Sequence, residues 1–220
     1  MCEWGDRFAA RSAELAVSAG IRVVLFGGLG FPVPGGGQPH AAAVMVSRDA
    51  WFGYPASGTV IPALRERSLA GERCAVAFTG QVADPGGLLR CARAAGLPGM
   101  IRAEGGVPAQ VQLGGVLSYL RDEEGAALMS GYARLLPAGS EVAACVPGGE
   151  DAAQLAAVLG MVAHSAAEVV QWMDGAGLDV SASPDDIRSP ADVRWWGTWA
   201  RPEFAARAGV RMIGVVGRVR

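Results

Sequence analysis

Apolar positions in the first stretch of the chain recur at mixed helical spacing, with Phe8, Ala9, Ala13, Leu15 and Ala16 between Glu3 and Ser18 and a glycine at Gly20. The spacing predicts one amphipathic helix that stops at the glycine. Ile21 to Phe26 is then a short apolar run rich in β-branched residues, followed at once by Gly27-Gly28-Leu29-Gly30-Phe31-Pro32. A run of that length before glycines predicts a buried parallel strand. The alternation continues with a strand over Ala43 to Val46, a short helix over Val60 to Leu69 and a strand over Cys74 to Thr79. Asp84-Pro85 predicts a helix opening, Asp at the cap and Pro in the first turn, with the helix running through Leu88, Leu89, Cys91 and Ala92 toward Gly96. Further on come a strand and its exit loop over Val111 to Leu120, a helix over Glu123 to Leu136, a strand over Glu141 to Val146 and a longer helix over Asp151 to Met173.

Strands alternating with helices at these lengths imply crossover units on a mostly parallel sheet covered on both faces, an α/β architecture. The last segment differs. Leu178 to Val180 and Arg211 to Val219 are strand candidates separated by a polar stretch bearing tryptophans, which fits an antiparallel hairpin closing one sheet edge. Phe31 to Pro39 and Pro98 to Pro108 read as loops from their glycines and prolines. No internal repeat is present, and 220 residues suit a single domain spanning residues 1–220.

Charge narrows the partners. The net charge is -2 and only 18% of residues are charged, so there is no basic field to gather nucleic acid or an anionic membrane. Every basic side chain other than the two histidines is arginine; a chain without lysine holds neither a Schiff-base lysine nor a P-loop lysine. The cysteines, Cys2, Cys74, Cys91 and Cys145, form no Cys-x-x-Cys pair and read as buried free thiols. No signal peptide or apolar run of spanning length appears, which leads us to expect a cytoplasmic protein.

A strand, a Gly-x-Gly turn and then a helix is how an α/β sheet brings backbone N–H groups close to a nucleotide. Glycines at a strand exit also serve simple turn geometry, so Gly28-Leu29-Gly30 alone does not decide the matter. The wider order of segments adds to it. Arg7-Phe8 through Ala19-Gly20-Ile21-Arg22, the glycine turn, Asp84-Pro85, Gly115 to Leu120 with Asp122-Glu123-Glu124, Leu136 to Ser140, and Gly214 to Arg218 together resemble an actinobacterial family of S-adenosylmethionine-dependent methyltransferases with the class I, Rossmann-like fold. The resemblance covers nearly the whole chain.

It implies a cofactor site on Gly28, Gly30, Phe31, Ser47, Arg48, Asp49 and Thr79, and substrate-facing residues after the fourth strand, Tyr119 among them. The departures matter as much. The family's first strand ends in an acidic residue where this chain has Phe26; its second ends in a carboxylate that holds the ribose hydroxyls, where this chain reads Val46-Ser47-Arg48-Asp49. Ser47 accepts one hydrogen bond but cannot clamp a diol; Asp49 substitutes only if the register slips by two. After the third strand, Phe78-Thr79-Gly80-Gln81 stands in place of an aspartate, and few residues precede Arg7 where the family carries a helical lid.

Three functions remain open at this stage. The first is a working small-molecule methyltransferase. The second is a non-methylating subunit of a heteromeric enzyme of specialised metabolism that closes a ring, such as an aziridine, with loss of sulfate. There Asp84 or Asp49 is the base, and Arg48 with Gly28 and Gly30 holds the anion. The third is a silent partner subunit that docks through Arg194-Trp195-Trp196-Gly197-Thr198-Trp199. The second is the preferred expectation, with no cofactor, or S-adenosylmethionine if its site survives, and with a protein partner covering the cleft. His40 is a site base or a loop-surface residue, His164 a structural residue inside a helix, and no group of residues has metal-ligand spacing.

Overall fold

The computed structural model describes residues 2–29, 38–58, 60–148, 152–158, 160–180 and 211–220. Helix α1 (Cys2–Ser18) leads into β1 (Val23–Phe26), and α2 (Ala41–Val46) leads into β2 (Trp51–Ala56). Next come α3 (Val60–Ser68), β3 (Ala75–Thr79), α4 (Pro85–Ala94), β4 (Ala109–Gln112), α5 (Asp122–Leu135) and β5 (Glu141–Gly148). The chain closes with α6 (Ala152–Val158), α7 (Ala166–Gly175), β6 (Leu178–Asp179) and β7 (Arg211–Val219). The strands form one seven-stranded sheet in the order β3-β2-β1-β4-β5-β7-β6. Its first five strands are mutually parallel; β7 runs antiparallel to β5, and β6 pairs antiparallel with β7. The α/β, Rossmann-like architecture with an antiparallel C-terminal edge is therefore what the chain adopts.

Strand alternation builds a core on each face. In β1, Val23 and Leu25 point toward α4, α5 and α7, where they belong to one core with Leu88, Leu89, Met129, Tyr132 and Met173. Val24 and Phe26 point the other way, toward Phe52 and Tyr54 of β2 and toward Ala9, Ala13 and Val17 of α1. Among the described residues, no helix is long and apolar enough to cross a membrane.

Four elements differ from the expectation. Ala43 to Val46 belongs to helix α2, not to a strand. Its alanines are strong helix formers, and the segment buries only Ala43 while Met45 is left exposed. The true second strand, β2, was hidden by Gly53 and Pro55, two residues that ordinarily argue against a central strand. Pro55 is tolerated because the ladder with β1 has already ended at Gly53, so Pro55 pairs only with β3, opposite Phe78. The long final helix is two helices, interrupted near Gly160, which sits at φ +65°; His164 accordingly precedes α7 and is not inside a helix. The fourth strand starts earlier than expected, at Ala109, and its exit loop contains a 3-10 turn over Val116–Tyr119.

Candidate functional site at the carboxyl edge of the sheet

Neighbouring strands β1 and β4 send their chains to opposite faces of the sheet, β1 toward α2 and β4 toward α5. In open α/β sheets the ligand crevice lies beyond the carboxyl ends of strands at such a switch point. Here the two strand exits are packed against one another. The Gly27 N–H donates to the Gln112 carbonyl at 2.9 Å. Gly28 sits at φ +72°, and a Cβ there would come within 2.5 Å of the Leu113 carbonyl oxygen. Gly114, at φ +49°, approaches the Gly27 carbonyl in the same way. These glycines are required by backbone meeting backbone, which is a structural use of the turn.

Beside the turn, on the α1–α3 face, a crevice is lined by Phe26, Leu29, Tyr54, Ala56, Ile61 and Arg65. Arg65 lies over the Tyr54 ring, its guanidinium carbon 5.1 Å from the centroid, and is nearly buried. Phe26 and Tyr54 stack at 4.9 Å. Strand β2 reaches this edge as Ala56-Ser57-Gly58, with no carboxylate at its end.

The expected site residues separate into two groups. Gly28, Thr79, Asp84 and Tyr119 stand at the carboxyl ends of β1, β3 and β4. The Thr79 hydroxyl donates to the Gly58 carbonyl at 3.3 Å, tying the β2 and β3 exits together. Asp84 is the N-cap of α4, and its carboxylate accepts from the Gly87 N–H at 3.0 Å; the side chain is exposed. Tyr119 is exposed on the turn after β4. By contrast, Ser47, Arg48 and Asp49 lie between α2 and β2, before the first residue of β2. The parallel register Val23↔Trp51 puts them at the amino edge of the sheet, about 20 Å along the strand direction from the glycine turn. No two-residue slip brings Asp49 to the cleft, because the strand it was thought to end is a helix. Gly30, Phe31 and the tryptophan-rich segment 194–199 lie outside the described residues.

Both histidines are buried, so His40 is not a loop-surface residue. His40 Nδ1 is 2.6 Å from the Tyr54 hydroxyl, and its ring stacks on Phe52. Burial lowers its pKa, partly offset by Glu72. His164 Nε2 donates to the Leu120 carbonyl at 2.9 Å, the ring meets Trp172 edge-on, and Nδ1 faces the Asp122 carboxylate at 3.4 Å. Of the described thiols, only Cys145 is buried, and burial pushes it up to about 12; Cys74 is half-buried and Cys91 exposed, contrary to expectation.

The β3–α4 loop that forms one wall of the edge is held from below. Buried Tyr132 of α5 donates its hydroxyl to the Val82 carbonyl at 2.6 Å, and burial together with Asp84 drives its pKa upward. Tyr132→Phe leaves that carbonyl unpaired and lowers stability by about 1–2 kcal/mol in urea unfolding.

Arg65 was missed by sequence reasoning because nothing in the Val60 to Leu69 pattern distinguishes an inward arginine from a solvated one. The partners of His40 were missed because Glu72 and Cys74 lie far from it in sequence.

This sheet order and this edge define the Rossmann-like fold of the methyltransferases. Neither a protein-family model nor a curated protein sequence matches the chain. Solved structures do match in fold. A candidate methyltransferase from Thermobifida fusca YX aligns with TM-score 0.71 at 21% identity, covering 99% of this chain and 80% of that one. A DUF574 family protein from Streptomyces avermitilis MA-4680 aligns with TM-score 0.66 at 18% identity, covering 99% and 83%. Geranyl diphosphate C-methyltransferase from Streptomyces coelicolor A3(2), in complex with Mg2+, geranyl diphosphate and S-adenosyl-L-homocysteine, aligns with TM-score 0.55 at 13% identity, covering 96% and 79%.

Proposed function

We propose that this chain is a non-methylating, methyltransferase-like protein of specialised metabolism, cytoplasmic and working as one subunit of a heteromeric enzyme, whose crevice takes an anionic small molecule in place of S-adenosylmethionine. The observation that carries this reading is the end of β2, where Ala56-Ser57-Gly58 offers no carboxylate to a ribose diol, while the crevice beside it is lined in part by Arg65, which is buried, bonds Gln38 and lies over Tyr54. A guanidinium suits a sulfate or phosphate oxygen and opposes a sulfonium.

The candidate reaction is intramolecular ring closure, such as aziridine formation. A substrate amine attacks the carbon that bears a sulfate ester; the C–N bond forms as the C–O bond breaks. Sulfate departs toward Arg65, which takes over the anion-holding role first expected of Arg48. The ammonium proton passes to Asp84, since Asp49 stands at the opposite edge. A partner fits the exposed apolar side chains beyond β4: Tyr119, Val158 and Val162, with Val162 tied to the β4 exit through its N–H to the Ser118 carbonyl at 2.7 Å.

One observation favours a second reading, an active methyltransferase: neighbours of the same fold were solved in complex with S-adenosylmethionine or S-adenosylhomocysteine. The two readings differ in what the crevice binds. Sulfate is expected to raise the melting midpoint of the purified chain, with apparent affinity falling about tenfold or more in Arg65→Gln. An equal response of wild type and variant would remove Arg65 from the anion-binding role.

A further inference from the structure

Away from that crevice, three donor groups converge beneath α3. His40 stands at the head of α2, Glu72 in the turn after α3, and Cys74 immediately before β3. The His40 ring nitrogen, the Glu72 carboxylate and the Cys74 sulfur all lie within 4.8 Å of one another. His40 Nε2 is 3.7 Å from Glu72 Oε2. That separation is long for a hydrogen bond, but it is close to the edge of a tetrahedron around one zinc ion, about 3.4–3.6 Å for ligand bonds of ordinary length.

We propose that His40 Nε2, Glu72 and Cys74 Sγ bind a thiophilic divalent cation, with zinc the natural occupant and the fourth position left to water or an added ligand. The proposal is independent of what the crevice binds. The donor set is one imidazole, one carboxylate and one thiolate, so a dication makes the site neutral and relieves the negative carboxylate beside the sulfur. Binding requires the Cys74 thiol proton to leave to solvent.

The rest of the surroundings suit a ligating histidine. With Nε2 on the metal, Nδ1–H donates to the Tyr54 hydroxyl at 2.6 Å, the outer-shell bond that fixes ring orientation in metal sites. Stacking on Phe52 holds the ring from one side. His40 is set by buried packing and Cys74, half-buried, packs against the same core, and the exposed Glu72 side chain has room to close the remaining distance. Tyr54 also lies under Arg65, so an ion here stiffens the floor of the crevice.

The test is titration of the purified full chain, first stripped with a chelator, with Co2+ and then Zn2+. Expected are one equivalent of bound cobalt, a sulfur-to-cobalt charge-transfer band in the near ultraviolet, and displacement of cobalt by zinc. Cys74→Ser should abolish the band and Cys91→Ser should leave it unchanged. Tyr54→Phe should weaken binding about tenfold or more. Glu72→Gln changes an exposed side chain, so it reports even if Cys74→Ser fails to fold, and it should also weaken binding about tenfold or more. The absence of stoichiometric binding by the folded wild-type chain, a band that survives Cys74→Ser, or unchanged affinity in Glu72→Gln would overturn the proposal.

Discussion

Gly28→Ala lowers the unfolding free energy by about 3 kcal/mol, of which the backbone conformation alone supplies about 1–2 kcal/mol. The remainder comes from the Cβ, which would sit 2.5 Å from the Leu113 carbonyl oxygen and 2.9 Å from Val116. Neither the β1 exit nor the β4 exit can retreat without loosening the Gly27 to Gln112 hydrogen bond, and forced displacements of this kind cost about 1–3 kcal/mol. For a chain of this size the melting midpoint should fall by about 6–12 °C. Gly71→Ala is the control: it sits at φ +95° with nothing within 4 Å, so it carries the conformational cost of about 1–2 kcal/mol without the collision.

Arg218→Met is expected to cost about 2 kcal/mol, because it removes a charged partner from a buried carboxylate that retains its bond from Gln110. Glu141 is 2% exposed and stands directly opposite Arg218 in the β5–β7 ladder. Arg218 Nη2 donates to Glu141 at 2.8 Å, and Gln110 of β4 donates to the other carboxylate oxygen at 2.9 Å. Gln112 continues the row, donating to Gln110 at 2.7 Å and to the Ala9 carbonyl of α1 at 3.0 Å. This polar ladder across β4, β5 and β7 seats α1 on the sheet. Arg218 itself is partly exposed, which keeps the cost low through solvent screening. Guanidinium unfolding of Arg218→Met, Glu141→Leu and the double variant closes a cycle in which the double variant should be more stable than the sum of the two losses implies.

The parts of the fold that follow a simple period were legible in the chain. Ile21 to Phe26 is an apolar run before glycines, and its last four residues became β1; Asp84-Pro85 is a cap followed by proline and became the start of α4. Strand β2 broke the rule because its Gly53 and Pro55 are compensated only by the early end of the neighbouring β1 ladder, a fact of tertiary structure. Mistaking α2 for that strand carried Ser47, Arg48 and Asp49 into the site with it. Strand β4 was read short of its start because Gln110 looks solvent-facing, yet it is buried in the ladder under α1. Convergence of His40 with Glu72 and Cys74 depends on where α3 returns to the sheet, which no local spacing encodes.

The departure that survives the corrected register is the one that bears on function. Moving the end of the second strand from Val46 to Ala56 still leaves no carboxylate there. A bond from such a group to a ligand is worth about 1.5–3 kcal/mol, so its absence weakens a nucleoside ligand by about tenfold or more. Calorimetric titration of the purified chain with S-adenosylmethionine and S-adenosylhomocysteine, alone and then with any co-purifying subunit, tests the central claim most directly. The account predicts no saturable heat up to about millimolar concentration in either setting; binding at micromolar concentration would contradict it and restore the methyltransferase reading.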